Sequence, residues 1–202
     1  MGKKGIFIVI EGLDGSGKTT QVGLLAKKLS QKYNVLLTAE PSRGKIATFI
    51  RQGCLYEEER LPTEAEALLF AADRIEHLQK EVKPALDEGK LVICDRYIYS
   101  SLAYQGSAGL SLAWIETINA RALQPDFSIF IDVDPERVLE RLQRKKSVME
   151  TLETQKKVRE VYLKFFEKGE LIRVDGDKPK KAVGDELYAV VLGLLKTCEV
   201  VN

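Results

Sequence analysis

Short apolar runs alternate along the chain with longer segments of helical period. Phe7-Ile8-Val9-Ile10 ends at Glu11-Gly12, Val35-Leu36-Leu37-Thr38 at Glu40-Pro41, and Leu91-Val92-Ile93-Cys94 at Asp95. Phe127-Ser128-Ile129-Phe130-Ile131 ends at Asp132, and Leu171-Ile172-Arg173-Val174 at Asp175. Runs this short, β-branched and mostly without polar alternation read as strands of a parallel sheet buried on both faces. The segments Lys18–Lys32, Glu64–Leu86, Ser100–Ala122 and Pro135–Phe166 are long enough to be crossover helices. The alternation predicts an α/β fold with three layers, α/β/α, around a five-stranded parallel sheet. Ligands of such sheets bind beyond the carboxyl ends of the strands. Each predicted strand ends there at an acid: Glu11, Glu40, Asp95, Asp132 and Asp175. With no repeat, low-complexity stretch or Gly/Pro/Ser-rich linker, residues 1–202 are expected to form a single domain.

Composition narrows the class. Hydrophobic residues are 45% and charged residues 30%, which is the balance of a folded globular chain and not a disordered one. The 31 basic and 30 acidic residues nearly cancel, so no nucleic-acid partner is expected. The first apolar run is too short for a signal-peptide core, and no run approaches the roughly 20 residues of a membrane helix. No membrane partner is expected. Cys54, Cys94 and Cys198 lack metal-site spacing and read as reduced thiols of a cytoplasmic protein. A single histidine, His77, limits histidine chemistry; it reads as structural or exposed.

The first candidate chemistry is a phosphate loop. Gly12-Leu13-Asp14-Gly15-Ser16-Gly17-Lys18-Thr19 fits G-x-x-x-x-G-K-[ST] between a predicted strand and a predicted helix. The glycines let backbone N–H groups turn toward an anion, and the helix N-terminus adds donors and a positive dipole end. Lys18 should reach the β- and γ-phosphates of a nucleoside triphosphate, and Thr19 should ligate Mg²⁺. The loop alone does not separate a kinase from a GTPase or ATPase.

A second cluster is expected at the same sheet edge. Asp95 can hold the Mg²⁺ shell and Arg96 can clamp a phosphate bidentately. On a helix over Glu64–Leu86, Ala65, Leu68, Leu69, Ala72 and Ile75 form one apolar stripe, with Phe70, Arg74 and His77 opposite. Phe70 away from the stripe needs a second contact: a flat ring stacked on it with Arg74 at the ring edge, or another element covering it. Ser100 and Tyr104 share a face, as do Ser101 and Gln105. These could meet a sugar or base, or Ser100 could be a helix N-cap. Arg137–Lys146 carries five bases against one acid, and Glu57–Glu66 five acids against one base. The basic stretch is a solvated helix face or, since the phosphate loop has no arginine, a lid supplying Arg141 or Arg144 to a transferred phosphoryl group.

Together these motifs resemble the thymidylate kinase family. The resemblance rests on Glu11-Gly12-Leu13-Asp14-Gly15-Ser16-Gly17-Lys18-Thr19-Thr20-Gln21, on Glu40-Pro41, and on Leu69-Phe70-Ala71-Ala72-Asp73-Arg74. It continues through Asp95-Arg96-Tyr97 to Tyr104-Gln105-Gly106, then Asp132–Glu136 and Val158–Leu163. It implies in-line phosphorylation of dTMP to dTDP by ATP with Mg²⁺ on Thr19 and Asp95, in a cytoplasmic homodimer. It places ATP on Gly12 through Thr20 and makes Lys18, Asp14, Asp95, Arg96 and a lid arginine the catalytic set. It implies that Phe70 stacks on thymine, Arg74 reads a thymine carbonyl, and Ser101 and Gln105 contact the base. Tyr104 would crowd out a ribose 2′-hydroxyl, Asp14 would meet the 3′-hydroxyl, and Arg96 with Arg51 would clamp the dTMP phosphate. Glu40 falls in the substrate-binding set, and the lid spans about residues 137–153. Two departures stand out. The chain has Glu40-Pro41-Ser42-Arg43-Gly44 where many bacterial members have Glu-Pro-Gly-Gly-Thr, and Glu150 and Glu153 both match a lid glutamate. Other nucleoside monophosphate or deoxynucleoside kinases are the nearest alternative, and a nucleotide-switch protein a more distant one.

Overall fold

In a computed structural model, which describes residues 5–53, 61–141 and 151–201, each of the five apolar runs forms a strand. The elements are β1 (Ile6–Gly12), α1 (Lys18–Leu29), β2 (Val35–Ala39), α2 (Lys45–Gly53), α3 (Thr63–His77), α4 (Lys83–Asp87) and β3 (Leu91–Asp95). They continue as α5 (Ile98–Ser107), α6 (Leu112–Ile118), β4 (Phe127–Asp132), α7 (Pro135–Arg141), α8 (Leu152–Glu167), β5 (Ile172–Asp175) and α9 (Lys180–Val201). A π-helical turn, Leu78–Val82, joins α3 to α4.

All strands are parallel, in the order β2-β3-β1-β4-β5. Every residue of β3, and of β1 and β4 after the first, is buried, because helices cover both faces. Edge strand β2 is more open, with Leu37 exposed. The register places the functional level: Ala39 and Ile10 both pair with Asp95, so Glu40, Arg96 and Glu11 leave three adjacent strands together. Stacking of Phe130 on Tyr162, centroids 4.7 Å apart, brings α8 to the same level.

Two expected helices are broken. Ser100–Ala122 divides into α5 and α6 around Gly109, whose φ of 102° ends the first. Pro135–Phe166 divides into α7 and α8. The apolar stripe of α3 is also not its core face. Leu68, Ala72 and Ile75 are exposed, while Glu66, Ala67, Ala71, Asp73, Arg74 and His77 are buried. Polar side chains occupy the inner face of α3 because they have partners there. Asp73, for one, accepts bonds from the backbone N–H and hydroxyl of Ser42, at 2.8 and 2.6 Å. Ser42, one of three positions at which the Glu40–Gly44 loop departs from Glu-Pro-Gly-Gly-Thr, thus ties that loop to α3.

Candidate active site

The phosphate loop leaves β1 and enters α1. Gly15 and Gly17 have φ of 84° and 82°, the left-handed region a side chain disfavours. Gly17 is the N-cap of α1 and contributes no side-chain bond, so the N–H donors of the first turn stay available to an anion. Ser16 Oγ is buried without a hydrogen-bond partner among the described residues. Thr20 is exposed on α1, and Leu13 is buried in the core beneath the loop.

Lys18 and Thr19 both meet Asp95, across from β1 at the end of β3. Lys18 Nζ is 3.0 Å from Asp95 Oδ1, and the Thr19 hydroxyl donates to Oδ2 at 2.7 Å. Burial would raise the Asp95 carboxyl, but Lys18 and Arg96 more than reverse it and hold it below its ordinary value. Burial and the nearby Arg96 pull Lys18 below its ordinary value, opposed by Asp95 and Asp14. A hydroxyl and an ionised carboxylate are hard oxygen donors that suit Mg²⁺. Asp95 Oδ1 makes no aligned hydrogen bond, so it has coordination capacity to offer. Among the described residues no group of three His, Cys, Asp or Glu could hold a metal, so the remaining ligands would be phosphate and water oxygens.

Arg96 is the one non-glycine residue of positive φ, 73°, among those described. That conformation costs a side-chain-bearing residue roughly 1–2 kcal/mol. It is held by Arg96 N–H on Ile10 O, by the Cys94 thiol on Arg96 O at 3.1 Å, and by Glu11. Glu11, buried at the end of β1, accepts four hydrogen bonds: from the N–H groups of Tyr97 and Ser100 and the hydroxyls of Ser100 and Tyr162. Burial still raises its carboxyl above the ordinary value. The turn aims the Arg96 guanidinium back at the phosphate loop. Nη2 lies 2.7 Å from Asp14 Oδ1 and 3.4 Å from the Tyr104 hydroxyl, and Nη1 donates to Ser100 Oγ at 2.9 Å. Asp14 N–H donates in turn to Tyr104 OH at 2.9 Å. Asp14, Arg96 and Tyr104 therefore join the phosphate loop to α5.

Arg74 stands in a second polar knot. Its Nε and Nη2 lie 2.9 and 2.7 Å from Glu40 Oε2, and Nη2 donates to Ser101 Oγ at 3.1 Å. Nη1 bonds Asn119 Oδ1. The far oxygen of Glu40 faces His77 Nδ1 at 3.2 Å, and His77 Nε2 faces the Thr38 hydroxyl at 2.8 Å. Gln105 follows Ser101 by one turn of α5, and its Oε1 is buried without a partner among the described residues. Phe70, one turn before Arg74, is partly buried.

The remaining sequence candidates fall differently. Arg51 donates to the carbonyls of Pro41 and Ser42, bracing the loop after β2. With Arg43, Pro41, Thr19 and Asp95 it lines a cleft of about 250 Å³. Arg141 is the last residue of α7, while Arg144 and Glu150 lie outside the described residues. Glu153 pairs with Lys157 at 2.8 Å on the exposed side of α8. Asp132, at the end of β4, is bound by Arg159 and Arg173, each at 2.7 Å.

Sequence reading missed Asn119, gave Tyr162 no role beyond its place in Val158–Leu163, and gave His77 no partner. Their bonds join residues 37 to 151 positions apart, with no motif between them. A periodicity of apolar residues carries no signal for such partners, and the polar inner face of α3 is visible only in the structure.

Most of the chain is similar to known proteins. A family model described as thymidylate kinase matches residues 10–187. A probable thymidylate kinase of Pyrococcus horikoshii is 49% identical over 172 residues, covering 81% of this chain and 84% of its own. One of Pyrococcus abyssi is 46% identical over 201 residues, 96% of this chain and 97% of its own. A thymidylate kinase of Halothermothrix orenii is 36% identical over 204 residues, 95% and 99%. A family model that matches residues 10–187, with relatives 36–49% identical over most of both chains, shows that the chain belongs to the thymidylate kinase family.

Proposed function

We propose that this chain transfers the γ-phosphoryl group of ATP in line to the phosphate of dTMP, giving dTDP. The observation that carries the reading is the 2.7 Å contact between Arg96 and Asp14. A cation able to clamp a second phosphate touches the loop that holds the first, which is the proximity a two-substrate transfer needs. A nucleotide switch would have no use for it.

Each residue then has a task. The α1 N-terminus and the backbone of Gly15–Lys18 hold the donor phosphates, and Lys18 exchanges Asp95 for the β- and γ-oxygens. Arg96 orients the acceptor phosphate toward the loop. That phosphate is already anionic, so no general base is required, and catalysis is positioning and charge neutralisation. Thr19 and Asp95 would hold Mg²⁺, which supplies further neutralisation of the phosphate oxygens. Phe70 offers a face for the base, Arg74 a donor for a base carbonyl, and the buried Gln105 Oε1 an acceptor for an N–H. A keto pyrimidine has that carbonyl next to that N–H, whereas cytosine has neither group in those places. The test is an acceptor screen with Mg-ATP over dTMP, dUMP, dCMP and dAMP. Turnover should be confined to dTMP and dUMP, and equal rates on all four would sink the reading. The substrates fit a cytoplasmic setting, and no helix among the described residues is long and apolar enough to cross a membrane.

The reading includes a homodimer. Helix α3 exposes Leu68, Ala72 and Ile75 on one face, and α2, packed against it, exposes Phe49 at 53%. Large apolar side chains grouped on neighbouring helices suit a second copy of the chain. Leu68→Glu should shift the sedimenting species from dimer to monomer with the fold kept. A wild-type chain that sediments as a monomer at micromolar concentration would rule this out.

A further inference from the structure

Four elements converge on one buried cation. Arg74 on α3 is 2% exposed, and its partners come from the end of β2, from α5 and from the end of α6. A buried guanidinium needs a counter-charge, and Glu40 alone would provide it. Charge balance does not require Asn119 or His77, so their presence calls for another account.

Asn119 is oriented from behind. Its Nδ2 donates to Ile115 O at 2.8 Å, and a carbonyl can only accept. The amide oxygen must therefore face Arg74 Nη1. His77, 2% exposed, is wedged between the Thr38 hydroxyl and Glu40, with Glu81 Oε2 3.5 Å from Nε2. An ionised Glu40 also only accepts, so the partners assign the hydrogen to His77 Nδ1. Glu40 is thus pinned on its far oxygen while its near oxygen holds Arg74. All three guanidinium nitrogens then have fixed oxygen partners. Nη1 has two N–H groups and uses one on Asn119, so among the described residues Arg74 has one remaining N–H direction.

We propose that Asn119 directly, and His77 through Glu40, are positioning residues for base selection, holding Arg74 so that a single fixed N–H meets the C4 carbonyl of a keto pyrimidine. This rests on Arg74 being the residue that reads the base. A fixed donor rejects cytosine, whose C4 amino group is itself a donor and would leave two buried donors face to face. An arginine free to swing would tolerate either base. The loss expected on freeing Arg74 is therefore one of discrimination as well as affinity.

The experiment compares kcat/KM for dTMP, dUMP and dCMP, and KM for ATP, in the full chain and in Asn119→Ala, His77→Ala, His77→Gln and Arg74→Met. Asn119→Ala and His77→Ala should lower the dTMP-to-dCMP ratio about 10-fold or more, chiefly through KM for dTMP. KM for ATP should hold. The dTMP-to-dUMP ratio should also hold, because the two bases share the C4 carbonyl. His77→Gln, which keeps a donor for Glu40, should restore most of the dCMP discrimination. If the two alanine variants only lower the melting temperature and leave the dTMP-to-dCMP ratio at the wild-type value, the positioning role is overturned. If Arg74→Met collapses that ratio and they do not, the positioning role alone fails. If Arg74→Met leaves it unchanged, the reading of Arg74 fails with it. Should His77→Ala not fold, His77→Gln and Asn119→Ala decide the same question, since a wild-type ratio in Asn119→Ala overturns the proposal.

Discussion

Lys18→Met is expected to reduce kcat for dTMP phosphorylation by about 10³-fold, the loss seen when a preorganised donor is removed from developing charge. Methionine keeps most of the length of the side chain and removes only the cation. Lys18 is 5% exposed and, among the described residues, its charge is set against Asp95 at 3.0 Å. Phosphate oxygens that replace Asp95 would bring negative charge that offsets the burial depressing the ammonium. The variant also leaves the Asp95 carboxylate with a smaller share of the positive charge that keeps it ionised. The Thr19 hydroxyl, 2.7 Å away, remains to it. Single-turnover assays separate the outcomes. KM for dTMP should change little, and a kcat within about 10-fold of wild type would remove Lys18 from the catalytic set.

Arg96→Ala should raise KM for dTMP by about 100-fold or more while leaving ATP affinity near wild type. Alanine suffers the same left-handed backbone at φ 73°, so the substitution tests the side chain and not the turn. Its removal also turns Asp14 from a neutralised partner into a free carboxylate facing an incoming phosphate. Asp14→Asn in the Arg96→Ala background should therefore recover part of the lost affinity, a non-additivity expected of residues 2.7 Å apart. Unchanged KM for dTMP in the single variant would exclude the clamp.

The strands and the phosphate loop were legible in sequence because their signals are local. An apolar run such as Leu91–Cys94 or a G-x-x-x-x-G-K-T string contains its own reason for its structure. The stripe on α3 was misread for a physical reason. Leu68, Ala72 and Ile75 repeat with helical period, and the period says that a face is apolar but not what covers it. The inner face instead carries Asp73, Arg74 and His77, whose partners Ser42, Glu40 and Asn119 lie 31 to 45 positions away. The acids at the strand ends were visible as a series, and Asp95 and Glu40 had expected roles, but the side chains each one meets were not visible. Glu11 braces a turn, Glu40 holds an arginine, Asp95 meets the Lys18–Thr19 pair, and Asp132 binds two arginines from α8 and β5. Only the three-dimensional neighbours assign those differences.

If Arg96 holds the acceptor phosphate as proposed, its ion pair with Asp14 sets what that site tolerates. The clamp carries its own resident anion, tethered to the phosphate loop and further fixed by Tyr104. Chloride or a simple carboxylate brings one charge and offers the guanidinium no more than Asp14 already does, so dissolved salts compete poorly for it. A phosphomonoester brings nearly two charges and three oxygens, enough to displace the carboxylate and still engage the remaining N–H groups. On that reading the internal carboxylate would act as a threshold, below which small anions are ignored and above which a nucleotide phosphate is admitted.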